Sequence, residues 1–346
     1  MGAAPALPEV LTADQVLRSA AYLARAQEPD GAIPWFPGGH TDVWDHVECA
    51  MALTVTGRSV PAHAEAARRA YLWLAESRHP GGGWSAKFRQ GAPVTDLREA
   101  NHAAYPAVGL LHHLLVTGDA AFAERTWPVV ESGLEFVLGL RGEHGEILWA
   151  RSEDGSPGDH ALLTVCSSVH HALRCGAALG ARLGRERPAW SAAADRLETL
   201  INDREDLFAD RSRFSMDWFY PILSGAVRGV AAKERLQDRW DRFVVPGLGV
   251  RCVSDQPWVT AAESSELVLA LAAMGEREAG TRVLADIQHL RDAEDGAYWT
   301  GYQFAEDVRW PVERSTWTSA AVVLAVDALT GTTDGSRVFL HTWDGA

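Results

Sequence analysis

Carboxylates, histidines and tryptophans recur together in this sequence at the points where apolar helical stretches begin. The first cluster is Asp42, Trp44, Asp45, His46 and Glu48, followed by Glu99, Asn101 and His102, then Asp159 and His160, then Asp217, Trp218 and Tyr220. Two more follow: Trp258, Thr260 and Glu263, and then Arg309, Trp310, Glu313 and Trp317. Two carboxyl groups, one kept neutral and one ionised, can protonate a leaving oxygen while charge develops on the carbon it leaves. Indole and phenol rings beside them offer flat platforms for sugar faces, and Asn and His can bond hydroxyls. Asp45, Glu99, Asp217 and Glu313 are the candidate catalytic carboxylates, since they come from different helical units and can face one another. Asp42, Trp44, His46, Asn101, His102, Trp218, Tyr220, Trp258, Glu263 and Trp317 are the candidate substrate contacts.

Each carboxylate also has a plainer reading, because Asp and Glu in a first helical turn are favoured by the dipole and by free N–H groups in any protein. The recurrence with tryptophan and histidine is what capping alone does not explain. Trp73, Trp127, Trp190 and Trp240 fall on more charged helices and read as structural. His112-His113 and His170-His171 lie deep in apolar stretches and read as core residues. Metal chemistry has little support: His46, Glu48 and His102 could converge, but there is no HExxH and no paired CxxC spacing. Nucleotide-binding glycine loops and a GxSxG elbow are missing too, so no cofactor is implied.

The elements that must position these groups follow a repeated plan of helix, Gly/Pro/Asp turn with an aromatic, and second helix. The first unit pairs helix 11–27 with helix 41–57, across Glu28-Pro29-Asp30-Gly31. The second pairs 62–78 with 97–116, and the third 120–140 with 160–180. The fourth pairs 188–203 with 217–230, the fifth 231–243 with 258–274, and the sixth 276–290 with 313–330. The first helix of a pair carries several charges, whereas stretches such as 103–116, 161–179 and 320–329 are apolar or small all round. Helices of that second kind must be buried on every side. The pattern predicts an all-α fold, an (α/α)6 toroid in which residues 1–346 form one domain and strands are essentially missing. Consecutive inner helices then run in the same direction, so their N-termini gather at one mouth and place partial positive charge there.

Bulk properties narrow the setting. A chain of 346 residues, 47% hydrophobic and 23% charged, can bury a large core. Its formal charge of −14, from 46 acidic against 32 basic residues, disfavours nucleic acid and anionic membranes as partners. Met1 to Pro8 lacks the basic and apolar regions of a secretory signal, and no apolar run approaches a membrane span. With Cys49, Cys166, Cys175 and Cys252 read as thiols, the expected location is the cytoplasm.

The tracts Tyr22-Leu23…Gln27…Asp30-Gly31…Trp35, Tyr71-Leu72…Gly82-Gly83-Trp84 and Asp295-Gly296-Ala297-Tyr298-Trp299 resemble the repeats of the squalene-cyclase and protein-prenyltransferase group. That resemblance implies the ring more than the reaction, since the Asp-x-Asp-Asp motif of protonating cyclases is replaced by Asp42-Val43-Trp44-Asp45. A second resemblance, to six-hairpin glycosidases of the glucoamylase kind, rests on Thr117-Gly118-Asp119…Phe122…Trp127-Pro128-Val129-Val130, Ser167-Ser168…Ala172-Leu173…Leu179-Gly180 and Trp317-Thr318-Ser319-Ala320. It implies a carbohydrate-active enzyme, hydrolase, lyase or epimerase, acting on a small glycoside. The alternatives are a terpenoid cyclase or prenyltransferase relative acting on an isoprenoid, which needs an apolar cavity and cation–π contacts, and a non-catalytic binding toroid.

Overall fold

Thr12 starts the first helix with a reciprocal cap: its hydroxyl accepts from the Gln15 N–H and the Gln15 side chain accepts from the Thr12 N–H. In the computed structural model, which describes residues 2–343, the chain then alternates between two kinds of helix. In order these are α1 (Ala13–Ala26), α2 (Val43–Gly57), α3 (Pro61–Ser77), α4 (Ala100–Ala104), α5 (Pro106–Thr117), α6 (Ala120–Leu138) and α7 (Leu163–Arg182). They continue as α8 (Pro188–Asp203), α9 (Ser215–Leu223), α10 (Gly229–Phe243), α11 (Ala261–Ala273), α12 (Arg277–Asp286), α13 (Thr316–Thr330) and the short α14 (Arg337–Leu340). The two ends of the expected 1–346 span, Met1 and 344–346, lie outside the described residues.

Six helical units close a ring. Helix α2 packs on α5, α5 on α7, α7 on α9, α9 on α11, α11 on α13, and α13 returns to α2. The all-round apolar stretches are this inner wall: every residue of α2 from Val43 to Thr56 and of α13 from Thr316 to Leu329 is buried. The more charged α1, α3, α6, α8, α10 and α12 lie outside, each against its inner neighbour. Close approach depends on glycine at two places, since a Cβ on Gly109 would stand 2.5 Å from Val47 Cγ1, and one on Gly133 2.1 Å from the Ala103 carbonyl oxygen. The repeated turns are built alike: Asp30 and Asp295 each accept at 3.0 Å from the N–H two residues on, around Gly31 at φ +103° and Gly296 at φ +78°.

Three expectations need correction. Strands are present: a five-stranded antiparallel sheet of β5 (Val244–Val245), β6 (Gly249–Arg251), β7 (Trp258–Thr260), β8 (Gly301–Gln303) and β9 (Val308–Arg309) is built from the last two turn regions. Two small pairs precede it, β1 (Phe88–Arg89) with β2 (Ala92–Pro93), and β3 (Arg98–Glu99) with β4 (Ala150–Arg151). Strands of two or three residues are too short to print an alternating pattern. Second, helix 97–116 opens as strand β3 and is divided by Pro106, which starts α5 at the position proline prefers. Third, helix 258–274 opens as strand β7, so Trp258 and Thr260 are sheet residues.

Trp73, Trp127 and Trp190 are buried structural residues as expected, with Trp240 packed partly against the core. His112, His113, His170 and His171 are buried too. Cys49, Cys166 and Cys175 are buried free thiols, and Cys252 is a half-buried one. Among the described residues no helix is long and apolar enough to cross a membrane.

Candidate active site at the mouth of the ring

The N-terminal ends of α2 and α9, strand β3 with the start of α4, and the loop before α7 surround a cavity of about 340 Å³. Of the residues expected at the mouth, Asp42, Trp44, Asp45, Glu99, Asn101, His102, Asp217 and Trp317 line it. Sequence reasoning did not single out the rest of the wall: His40, Ala86, Lys87, Leu162, Thr164, Val165, Arg211, Phe214, Met216 and Cys252. Most of these sit in loops or at positions where apolar residues carry no chemical signal of their own.

Asp42 and Asp45 form the centre of the site. Asp42 caps α2, its Oδ1 accepting from the Asp45 N–H at 3.0 Å. The two carboxyls act on each other, and their surroundings push them in opposite directions. Burial pushes Asp45 far above the usual carboxylate range, and the Asp42 charge, with Glu48 and Glu266 behind it, adds to the shift. Burial pushes Asp42 the same way, but the His102 imidazole and the hydrogen bonds from Asp45 outweigh it and hold Asp42 below its ordinary value. Asp42 lies between two rings, 3.9 Å from His102 Nε2 and 3.9 Å from His40 Nε2. The surroundings thus favour the proton on Asp45 and the charge on Asp42.

Glu99 Oε2 stands 3.8 Å from His102 Nε2. Asp217, in the first turn of α9, accepts a hydrogen bond from the Thr164 hydroxyl and is raised by burial, against that bond and the nearby Arg211 and Arg235. Asn101 Oδ1 and His102 Nδ1 are buried polar atoms of this wall that lack a protein partner. Such atoms are expected to bond water or ligand.

Beneath the wall lies Glu48, one turn on from Trp44. Its Oε1 accepts from Trp44 Nε1 at 2.9 Å and from the Tyr105 hydroxyl at 2.8 Å, and its Oε2 accepts from Trp317 Nε1 at 2.9 Å. One buried carboxyl therefore fixes both indoles that face the cavity. Burial raises it to about 7 despite these three donors. Glu266 on α11 is raised well above its ordinary value by burial and by Glu48, and its Oε2 has no partner. Glu48 was visible at a helix opening but carried no assignment to the site; Glu266, mid-helix, gave no signal.

Six expected residues are placed elsewhere. His46 is fully buried, its Nδ1 accepting from the Ile33 N–H at 3.0 Å and its Nε2 donating to the Ala70 carbonyl, so it ties α2 to the outer layer rather than meeting a hydroxyl. Trp218 is also fully buried, donating to the Arg235 carbonyl and stacked on Phe243. Tyr220 is buried edge-on to Trp44, behind the wall rather than on it. These three sit on the helix faces turned from the cavity, a difference of about 100° per residue that the clusters did not register. Trp258 lies on β7, donating to the Trp310 carbonyl, and Glu263 lies in the first turn of α11 beside Cys252. Glu313 accepts from Trp35 Nε1 at 2.7 Å, and Trp35 in turn packs on Trp317.

An inner ring of helices with carboxyl groups converging at the mouth defines an (α/α)6 carbohydrate-active enzyme of the glycosidase type. No protein-family model matches the chain. It is 48% identical over 339 residues, 98% of its length and 92% of the relative's, to an MMP endo-(1,4)-3-O-methyl-alpha-D-mannosidase of Mycolicibacterium hassiacum, and it belongs to the family of that enzyme. Its ring is similar to solved structures of a D-mannose isomerase (TM-score 0.71, 11% identity, covering 92% of this chain and 97% of that one) and of a GH63 mannosylglycerate hydrolase from Thermus thermophilus (TM-score 0.68, 14% identity, 89% and 99%). Likeness at that identity establishes the fold, which hosts more than one sugar reaction.

Proposed function

We propose that this protein hydrolyses internal α-1,4 linkages of 3-O-methylmannose chains, the reaction named for its 48%-identical relative. The observation that carries the reading is the buried Asp42–Asp45 pair, which opens one helix within a cavity walled by Trp44, Trp317, Leu162, Val165, Phe214 and Met216 and whose environment favours the proton on Asp45. Asp45 gives its proton to the glycosidic oxygen as the C1–O bond breaks. Asp42 keeps Asp45 protonated until then, with the His40 and His102 rings each 3.9 Å from its carboxyl. Two carboxyls at the N-cap and first turn of one helix share one side of the cavity and cannot flank a sugar from both sides, where roughly 5–9.5 Å is needed. The second carboxyl, which activates water or attacks C1, therefore comes from another wall of the cavity, Glu99 or Asp217. Water's hydroxyl ends on C1, and the released chain takes the proton.

The apolar wall suits a methyl ether, which replaces a hydroxyl donor with a group that favours burial. One such group in an apolar pocket discriminates by about 10–200-fold. The test is to incubate the protein with methylated and unmethylated α-1,4-mannooligosaccharides and to follow products by mass spectrometry. Cleavage of the methylated chains, at internal bonds and in that margin of preference, is expected; equal cleavage of both, or of neither, defeats the reading. The free thiols support the cytoplasmic location, and the unbroken ring supports reading the chain as one domain. An isoprenoid substrate is disfavoured by the four carboxyl groups set into the wall, Asp42, Asp45, Glu99 and Asp217, and by a relative that acts on a sugar.

A further inference from the structure

Only a few large apolar side chains are strongly exposed among the described residues, and they are not evenly spread. Val308 is 43% exposed, Trp310 53% and Val312 83%, alternating along the segment that leaves the edge strand β9. Trp258, half-buried on β7, meets Trp310 edge-to-face with ring centroids 5.1 Å apart. Its Nε1 donates to the Trp310 carbonyl at 2.7 Å, which holds both residues to one geometry. We propose that this aromatic ridge is a second binding site for the sugar chain, gripping the units that continue past the cavity. The proposal rests on the polymer-cleaving reading above and deepens it.

Continuity with the cavity favours this occupant, and it runs by two independent routes. Cys252, which lines the cavity, follows Arg251, and Trp258 precedes Val259, the residue paired with Arg251 across the β6–β7 hairpin. The ridge thus begins one residue from the cavity wall. By the second route, the ridge segment runs into Glu313, whose carboxylate accepts from Trp35, which packs 5.9 Å from the cavity-lining Trp317. A cavity of about 340 Å³ is at the small end of ligand pockets, roughly 300–1,000 Å³, so a longer chain must leave it across the rim. A second copy of this chain fits the ridge less well. Exposed Arg309 interrupts it and exposed Glu306 and Asp307 border it, whereas the core of a protein interface is depleted of charge. A narrow apolar track with polar flanks matches one sugar strand presenting methyls and ring faces on one side and hydroxyls on the other.

The experiment uses the full chain with Trp310→Ala and, separately, Val312→Ser, neither of which lines the cavity. Steady-state kinetics are measured on methylmannose oligosaccharides from the shortest that is cleaved to the longest available, with light scattering to read the oligomeric state. The expected result is a KM raised about 5- to 10-fold for W310A on long chains, a smaller rise for V312S, kcat retained, and no change on the shortest substrate. Equal loss at every length, which a structural role would produce, overturns the proposal, and so does no loss at any length. A change of oligomeric state in the variants overturns it in favour of a self-association surface. Failure of the underlying functional reading would show in the wild type, as absence of cleavage; failure of the ridge shows only in the variants.

Discussion

The ring has a cavity at each end, and the larger one is not at the mouth. At the opposite end, where α7 and α9 finish, a cavity of about 540 Å³ is lined by Arg174, Glu198, Arg228, His341 and Trp343, against about 340 Å³ at the mouth. The charged groups of the larger cavity have protein partners: Arg174 Nη2 lies 2.7 Å from Asp195 and 2.8 Å from Glu198, Arg228 donates to the Gly225 carbonyl and His341 bonds the Leu223 carbonyl. At the mouth, neighbouring carboxyls are forced apart in protonation, and two polar atoms of the wall await a partner. Volume therefore does not choose between the ends. The clustering of carboxyls does, because Asp42, Asp45, Glu99 and Asp217 meet at the mouth, whereas Glu198 is the one carboxylate among the described residues that line the far cavity. Helix direction adds to the contrast, since the inner N-termini gather at the mouth and the C-termini at the other end.

The hardest way to break this comparison is to remove the acid. Asp45→Asn is expected to lower kcat by about 10²–10⁴-fold, the usual worth of a positioned general acid, without loss of fold by circular dichroism. Retained turnover would mean that the mouth does not do the chemistry. Asp42→Asn sharpens the same point through pH. Asp42's charge is one of the causes that raise Asp45, so its removal lowers the Asp45 pKa, and the alkaline limb of the kcat profile, where the acid loses its proton, moves to lower pH. A limb that stays put, or moves to higher pH, would show that Asp42 does not hold the proton on Asp45.

Glu48 tests whether the polarity beneath the mouth is also functional. Glu48→Ala leaves two indole N–H groups and a phenol without their acceptor, at an expected cost of about 1–3 kcal/mol per unsatisfied group, read by urea denaturation. Glu48→Gln keeps the shape and one acceptor, and is expected to raise KM while largely sparing kcat, since Trp44 and Trp317 lose their shared anchor. The raised Glu48 also has a linkage consequence. Its folded pKa, about 7, exceeds the ordinary 4.5, so the native state binds more protons between those values. Its stabilising contribution is complete below pH 4.5 and is lost as pH rises toward 7. Glu48→Gln should therefore flatten the fall in melting temperature across that window, and a profile parallel to the wild type's would argue against the raised value.

The ring was legible because its signal is long: all-round apolar runs and recurring turns such as Asp30-Gly31-Ala32 and Asp295-Gly296-Ala297 survive any uncertainty about helix ends. The mouth was legible at the level of helix openings, which is why Asp42, Trp44, Asp45, Glu99, Asn101, His102, Asp217 and Trp317 were found together. What failed was rotation about a helix axis. His46 and Trp218 belong to the right openings and point the wrong way, and in a helix buried on all sides no apolar stripe marks which face looks inward. The sheet strands were lost to brevity, and with them the place of Trp258. Glu266 was lost because one acid inside an apolar helix has no spacing to read; only the packing of α11 beside α13 and α9 puts it behind Glu48.

The smallest expected effect lies at the opposite end of the ring. Arg174→Ala removes a partly exposed guanidinium from two exposed carboxylates, so it should cost no more than about 1 kcal/mol of stability and leave kcat/KM on methylmannosides unchanged. The near-null result is informative because this is the larger cavity. If R174A lowered kcat/KM as strongly as a substitution at the mouth, while the melting temperature stayed nearly unchanged, the far cavity would have to take part in binding substrate or in coupling to it. The rule that converging carboxyls rather than volume mark the site would then fail in this ring. If activity is untouched, the far cavity is packing left over where helices diverge, and its Arg174 ion pairs serve only the surface.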